Sequence, residues 1–163
     1  MQEKLQNLKL IAFDFDGIFT DSKVTVNQDG IESITCSKRD SMGLNELRRV
    51  GMKMCVISKE QNKVVAIRCQ KLNLECLIGI DNKLVEFKKI IQREGLTPDQ
   101  VAFMGDDIND LECMEYAGLS FTVSGGDKKC KAIADHTTIP DGGNGAIREV
   151  CDLITEAKDS LKL

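Results

Sequence analysis

The stretch IAFDFDGIFTDSK, residues 11–23, places Asp14 and Asp16 on either side of one phenylalanine, at the end of an apolar run. Carboxylates left unpaired beside buried residues are costly. More acids follow in GDDIND, residues 105–110, with Asp106, Asp107 and Asp110. Between the two clusters, Ser58 closes a second apolar run and Lys83 opens a helical pattern. Carboxylates gathered in one crevice repel each other and raise each other's pKa. A hard divalent cation removes that conflict, and magnesium takes oxygen ligands of this kind, together with water and substrate phosphate. An aspartate beside such an ion can act as a nucleophile and form an aspartyl-phosphate. Two anions must then meet, and at contact their repulsion is several kcal/mol at an effective dielectric of about 20. The cation and a lysine would offset it and stabilise the transferring phosphoryl group. A second aspartate two residues on is suited to be acid for the leaving oxygen and base for the attacking water. The chain has to turn after Asp14, and Gly17 eases that turn. Taken singly, each acid has a plainer role: Asp106 or Asp107 could cap the helix that follows, and Asp14 could end a strand.

These groups meet only if the elements carrying them share one edge. Lys9 to Phe13, Lys53 to Ile57, Val101 to Met104 and Leu119 to Val123 are near-continuous apolar runs, with a weaker one at Leu77 to Ile80. Runs buried on both faces suit a parallel sheet. Helical patterns lie between them: Ser41 to Val50 before Gly51, Asn62 to Leu72, Lys83 to Glu94 before Gly95, and Asp107 to Ala117 before Gly118. A last helix, Gly145 to about Leu161, sets Ile147, Val150, Cys151, Ile154 and Ala157 on one stripe. The alternation predicts an α/β fold, a doubly wound parallel sheet formed by residues 1–163 as one domain. In such sheets ligands bind beyond the carboxyl ends of the strands. Asp14, Asp16, Ser58, Lys83, Asp106, Asp107 and Asp110 would then face one crevice. Residues 23–37 depart from the pattern: they alternate with period two around Asp29-Gly30, which predicts a projecting β-hairpin.

Composition narrows the partners. Of 163 residues, 42% are hydrophobic and 29% charged, with a net charge of −4, which argues against nucleic acid or an anionic membrane as the main partner but not against a small anion. The seven cysteines form no CxxC and there is a single histidine, His136, so a thiol metal site is disfavoured and reduced thiols in a cytoplasmic setting are expected. There is neither a charged-then-apolar leader nor an apolar run near about 18 residues, so neither a secretion signal nor a membrane span is expected.

With DFDGIFTD, Ser58, Lys83 and GDDIND in this order, the chain resembles the haloacid dehalogenase superfamily of phosphohydrolases over nearly its whole length. The resemblance implies Asp14 as nucleophile, Asp16 as general acid and base, Ser58 and Lys83 on the phosphate, and magnesium on Asp14, the Asp16 backbone carbonyl and Asp106. Asp110 would support the metal from behind, and Asp107 would do likewise or cap its helix. The chain between Asp16 and Ser58 is too short for the inserted cap domain of most relatives. GGNGAIREVCDLI, residues 142–154, is similar to the C-terminal signature of small capless phosphatases of 3-deoxy-ulosonic acid phosphates, whose substrates are octulosonate 8-phosphate or nononate 9-phosphate, and to the tails of some sialate cytidylyltransferases. That family implies a homotetramer whose site a neighbouring subunit helps to close, excluding water. It also implies an acidic sugar phosphate as substrate and Arg39, Glu60, Arg68 and Lys71 as substrate-binding residues. Arg39, in SKRDSMG, fits the octulosonate type; Glu60 and Lys71 fit the nine-carbon type; Arg68 fits both. All four also suit a solvated surface. Ser22 stands where a glycine is common, and Asn144 where an arginine is usual.

Two other functions compete. A signalling receiver domain also combines an aspartate, magnesium and a lysine on a parallel sheet, but there the phosphorylated aspartate follows the middle strand and an adjacent acid pair follows the first. Here the first strand carries Asp-x-Asp and the pair comes late. A silent oligomerisation module related to the cytidylyltransferase tails would tend to lose acids that this chain retains.

Overall fold

The computed structural model describes residues 1–162. In chain order the elements are α1 (Gln2–Asn7), β1 (Leu10–Phe13), β2 (Thr25–Val26), β3 (Glu32–Ser33), α2 (Lys38–Arg49), β4 (Lys53–Ile57), α3 (Lys63–Lys71), β5 (Glu75–Leu77), α4 (Lys83–Arg93), β6 (Val101–Met104), α5 (Leu111–Tyr116), β7 (Leu119–Thr122), α6 (Lys128–Ile133), β8 (His136–Thr137) and α7 (Ala146–Asp159). Six strands form one parallel sheet in the order β5-β4-β1-β6-β7-β8. β1 lies between β4 and β6, with Phe13 opposite both Val56 and Met104. The chain runs from β1 outward through β4 to β5, then returns through α4 to β6 on the other side of β1, so the strand order reverses at β1 and the crevice opens at its carboxyl end, as the doubly wound rule requires.

The apolar runs are explained by burial on both faces. Along β1, Ile11 and Phe13 join one core with Leu44, Val150 and Ile154, while Leu10 and Ala12 join a second with Phe87, Ile90 and Phe103. The hairpin forms as expected but is small: Thr25 pairs with Ser33 and Val26 with Glu32, in a two-stranded sheet of its own. Its turn is tied by the Asn27 side chain, which accepts from the amides of Asp29 and Ile31, and Gly30 takes φ 75°. Val24, Val26 and Ile31 lie exposed on it.

Several boundaries differ from the sequence reading, each for a local reason. α2 starts at Lys38, ahead of Ser41, because the Ser37 hydroxyl accepts from the Arg39 amide and caps it. The weak strand lies at Glu75–Leu77, not Leu77–Ile80, as an edge strand whose exposed Glu75 breaks the apolar run. The segment from Asp107 opens as a 3₁₀ turn, Ile108–Asp110, before α5. All seven cysteines are free thiols, and no helix of the described residues is long and apolar enough to cross a membrane.

Candidate active site

The first acid pair sits where the chain leaves β1. The Asp14 amide donates to the Met104 carbonyl, 2.9 Å, the last ladder bond to β6. The chain then coils: the Phe19 amide donates to the Phe15 carbonyl, 2.8 Å, and Phe15 stacks on Phe19 with ring centroids 5.2 Å apart. That stack draws Phe15 into the core and turns Asp14 and Asp16 toward the crevice. Gly17 follows at φ 83°, where a side chain would collide with Asp106: its Cβ would lie 1.9 Å from Asp106 Oδ2. The two aspartate loops, from β1 and β6, are therefore held together at backbone distance.

Lys83 is the first residue of α4, and the Asn82 side chain caps that helix by accepting from the Val85 amide. Lys83 is 3% exposed, and its ammonium lies 2.6 Å from Asp14 and 2.7 Å from Asp110. Burial disfavours the Lys83 charge, and the two carboxylates outweigh that effect and hold its pKa above the usual lysine value. Asp110 is fully buried and bonded through both oxygens: one takes Lys83, and the other accepts from the amides of Asp106 and Asp107 at 3.0 and 3.3 Å. It therefore acts as a brace for the β6 loop. Asp107 caps the 3₁₀ turn through the Ile108 amide, the plainer of the two roles foreseen for it.

The remaining carboxylates carry strain. Asp14 stands well above the ordinary carboxylate pKa because it is buried and faces Asp110. Asp106 is pushed up to about 7, by burial first and then by Asp110 and Asp107. Asp16 is also raised, by burial and by the charge of Glu60. Ligand oxygens of Asp14, Asp106 and Asp110 come within 4.8 Å of one another. Asp106 Oδ1 is buried with no hydrogen-bond partner, so a hard cation has a ligand waiting there. Both Asp110 oxygens already accept hydrogen bonds, whereas Asp106 Oδ1 has none, so Asp14 and Asp106 are the side chains better placed to hold a metal.

A recess of about 130 Å³ opens over this cluster, lined by Asp14, Asp16, Ser22, Ser58, Lys59, Glu60, Asp106, Asp107 and Asn109. Ser58 Oγ accepts from the Glu60 amide at 3.1 Å, which leaves its proton to donate into the recess. Glu60 reaches the recess, but its Oε1 already accepts from the amides of Gln61 and Asn62, both at 2.7 Å. Lys59 and Asn109 line the mouth and were not singled out from sequence; Asn109 could have been, since it lies within GDDIND. The other substrate-binding candidates lie elsewhere on this chain. Arg39 lines a separate groove with Asn144 and Arg148. Arg68 donates to the Ser37 carbonyl and the Ser41 hydroxyl, and shares a second groove with Lys71. His136 contacts Glu149, 2.8 Å apart, away from the crevice.

Residues 51–149 match the family model for haloacid dehalogenase-like hydrolases. The chain belongs to that family. One relative, the 3-deoxy-D-manno-octulosonate 8-phosphate phosphatase of Escherichia coli K12, is 33% identical over 97% of this chain and 85% of its own. The Haemophilus influenzae enzyme of the same name is 30% identical over 97% and 88%. Among solved structures, that of the phosphatase of this name from Moraxella catarrhalis, in complex with magnesium, phosphate and KDO, superposes with a TM-score of 0.94 at 31% identity, over 99% of this chain and 93% of its own.

In a haloacid dehalogenase-like site built this way, Gly17 predicts a large effect. Gly17→Ala is expected to push Asp106 aside and lower turnover about 100-fold, the scale of a 1 Å misplacement. It should also cost about 1 kcal/mol or more for the unfavourable φ. Steady-state kinetics and urea denaturation of the variant check both.

Proposed function

We propose that the protein is a magnesium-dependent phosphatase that hydrolyses the phosphate monoester of a 3-deoxy-2-ulosonic acid, with octulosonate 8-phosphate as its substrate. The observation that carries the phosphatase reading is the pairing of Asp14 with buried Lys83, beside an Asp106 oxygen that has no partner. The substrate follows from relatives that match 97% of the chain and bear the octulosonate name. The nine-carbon acid is the competitor: Glu60, its main support, already has one carboxylate oxygen bound by backbone amides.

In this reading an Asp14 oxygen attacks phosphorus and the bond to the sugar oxygen breaks. Asp16, whose pKa is raised by burial and by the charge of Glu60, gives a proton to the departing alkoxide. The Asp16 carboxylate then takes a proton from water, which attacks the aspartyl-phosphate; orthophosphate leaves and the Asp14 carboxylate is restored. The Ser58 hydroxyl and Lys83 hold the phosphate oxygens, and Asp110 keeps Lys83 and the Asp106 amide in place. Asp14, Asp106 and the Asp16 carbonyl would hold magnesium, which would supply positive charge to offset the meeting of carboxylate and phosphate.

The test is phosphate release from octulosonate 8-phosphate and nononate 9-phosphate side by side, with magnesium and with chelator. The eight-carbon ester should win and the chelator should silence both; equal release without metal would end the reading. Magnesium affinity should depend on pH. Below about 7 the Asp106 carboxyl holds a proton that the cation must displace, so binding strengthens as pH rises. A gain of about fivefold from pH 6 to 7 and about tenfold from pH 6 to 8, flattening above 8, is expected, with proton release seen by calorimetry in two buffers.

Arg39, Arg68 and Lys71 do not line the recess itself, Arg68 and Lys71 sitting in a groove that shares Ile34 and Val64 with the pocket beside Asp16 and Glu60, and apolar Val24, Val26 and Ile31 stand exposed on the hairpin. Both features support a homotetramer in which a neighbour completes the substrate site. Light scattering is expected to give the mass of four chains; the mass of one would overturn this. Free thiols throughout suit a reducing, cytoplasmic compartment.

A further inference from the structure

α7 begins without a cap of its own. Its N-cap is Gly145, at φ 106°, which has no side chain to offer the exposed amides. The missing acceptor comes from another helix. Asp40, on the first turn of α2, accepts from the Arg148 amide with Oδ1 at 3.1 Å. Asp40 is 2% exposed and Oδ2 has no hydrogen-bond partner, so this bond and the nearby Arg68 charge are what offset the cost of burying the acid. Burial pushes the Asp40 carboxyl up to about 6, so it is still ionised at neutral pH, the form a helix N-terminus favours. Gly43, one turn on, lets the helices meet closely: a Cβ there would lie 2.9 Å from that of Cys151 and 3.1 Å from the Arg148 Cα.

The turn that Asp40 anchors is pressed against the nucleophile loop. Just before α7, the Gly143 amide donates to the Ile18 carbonyl at 3.0 Å. A Cβ on Gly142 would lie 1.8 Å from the Gly17 carbonyl oxygen, and one on Gly143 would lie 2.9 Å from the Thr20 carbonyl carbon. Gly17 in turn touches the Asp106 carboxylate. A continuous set of contacts therefore runs from Asp40 through the α7 start and the Gly142–Gly143 turn to the segment that sets Asp16 and Asp106.

We infer that Asp40 is a positioning residue for catalysis: by capping α7 from across the helix pair, it fixes the Gly142–Gly143 turn as the back wall of the loop carrying Asp14 and Asp16. The inference rests on the phosphatase reading of those two aspartates, and its test separates the two. Asp40→Ala, Asp40→Asn, Gly143→Ala and the double variant Asp40→Ala/Gly143→Ala are compared with wild type for kcat and KM on p-nitrophenyl phosphate, and Gly143 amide exchange is followed by NMR.

Asp40→Ala is expected to lower kcat about tenfold with KM within about twofold, because Asp16 is displaced from the water it must deprotonate while the phosphate grip remains. Asp40→Asn keeps an acceptor oxygen and should stay within about threefold of wild type. Gly143 exchange should quicken in Asp40→Ala and not in Asp40→Asn. The double variant should lose little beyond its worse single parent, since both act through one turn. Equal losses for Asn and Ala, additive losses in the double variant, or unchanged Gly143 exchange would overturn the inference. Should Asp40→Ala not fold, Gly143→Ala carries the test from the other end, and a kcat within about twofold of wild type there would overturn it. A wild type that releases no phosphate refutes the phosphatase reading instead, and Gly143 exchange still decides whether Asp40 holds the turn.

Discussion

Asp14→Asn is expected to leave a folded protein that has lost turnover by at least about 10³-fold, the scale seen when a covalent nucleophile is removed. The side chain keeps its shape and can still accept from Lys83, so the packing around Phe13 and Phe15 should survive. Stability should change little: the variant loses an ion pair with Lys83 but also the repulsion of Asp110 that, with burial, holds the Asp14 pKa high. Urea unfolding checks the fold, and phosphate release checks the chemistry. Turnover close to wild type would mean that another group attacks phosphorus, and the assignment of Asp14 would fall. A second readout is chemical: acid-quenched wild type should retain phosphate on Asp14, and the variant should not.

The largest stability effect should come from Lys83. Its ammonium is the common partner of Asp14 and Asp110, and all three side chains are buried. Lys83→Met keeps the length and removes the charge, leaving two carboxylates facing one another. Breaking a buried ion pair from one side costs about 3–5 kcal/mol. The sign with pH follows from linkage. The Lys83 pKa is raised in the folded state, so its contribution is complete below the ordinary lysine value and is lost only as pH rises through the higher folded one. At pH 8 the wild type therefore holds its full advantage. In the variant the abandoned carboxyls can protonate as pH falls, so the gap between the two proteins should narrow toward pH 5. Urea midpoints at pH 8 and pH 5 test this; a gap independent of pH would show that the carboxylates are not what Lys83 neutralises. Phosphate release should be lost at every pH.

What could be read from the sequence, and what could not, follows from how each element is buried. β1, β4, β6 and β7 have an interior on both sides, so they read as near-continuous apolar runs, interrupted by Lys53 in β4 and by buried Ser120 and Thr122 in β7, and their ends could be placed within a residue. β5 and β8 lie at the sheet edges, with two or three paired residues and exposed members such as Glu75, and carry no such signal. α1 and α6 are six residues each, too short for a repeat of 3.6 to stand out. The acids of the site were legible because they directly follow strands whose carboxyl ends must coincide. The role of Asp110 as a brace was only partly legible, since it depends on the 3₁₀ turn that brings its second oxygen under two amides. Arg39, Arg68 and Lys71 were chosen by resemblance, and nothing in their spacing says which groove a helix face will turn toward. The Asp40 cap lay beyond reach for a related reason: its partner is 108 positions away and its own neighbours read as an ordinary helix start.

The place of β1 in the sheet has a consequence for how the molecule is made. Its residues 10–13 are synthesised early, yet one edge waits for residues 53–56 and the other for residues 101–104. A growing chain on the ribosome thus carries a bare apolar strand until about two thirds of the polypeptide has emerged, and closing such distant pairings is slow. During that interval the strand is open to pairing with other nascent chains. Overproduction at lower temperature, or with chaperones that shelter exposed segments, should raise the soluble yield more than any change to the finished surface.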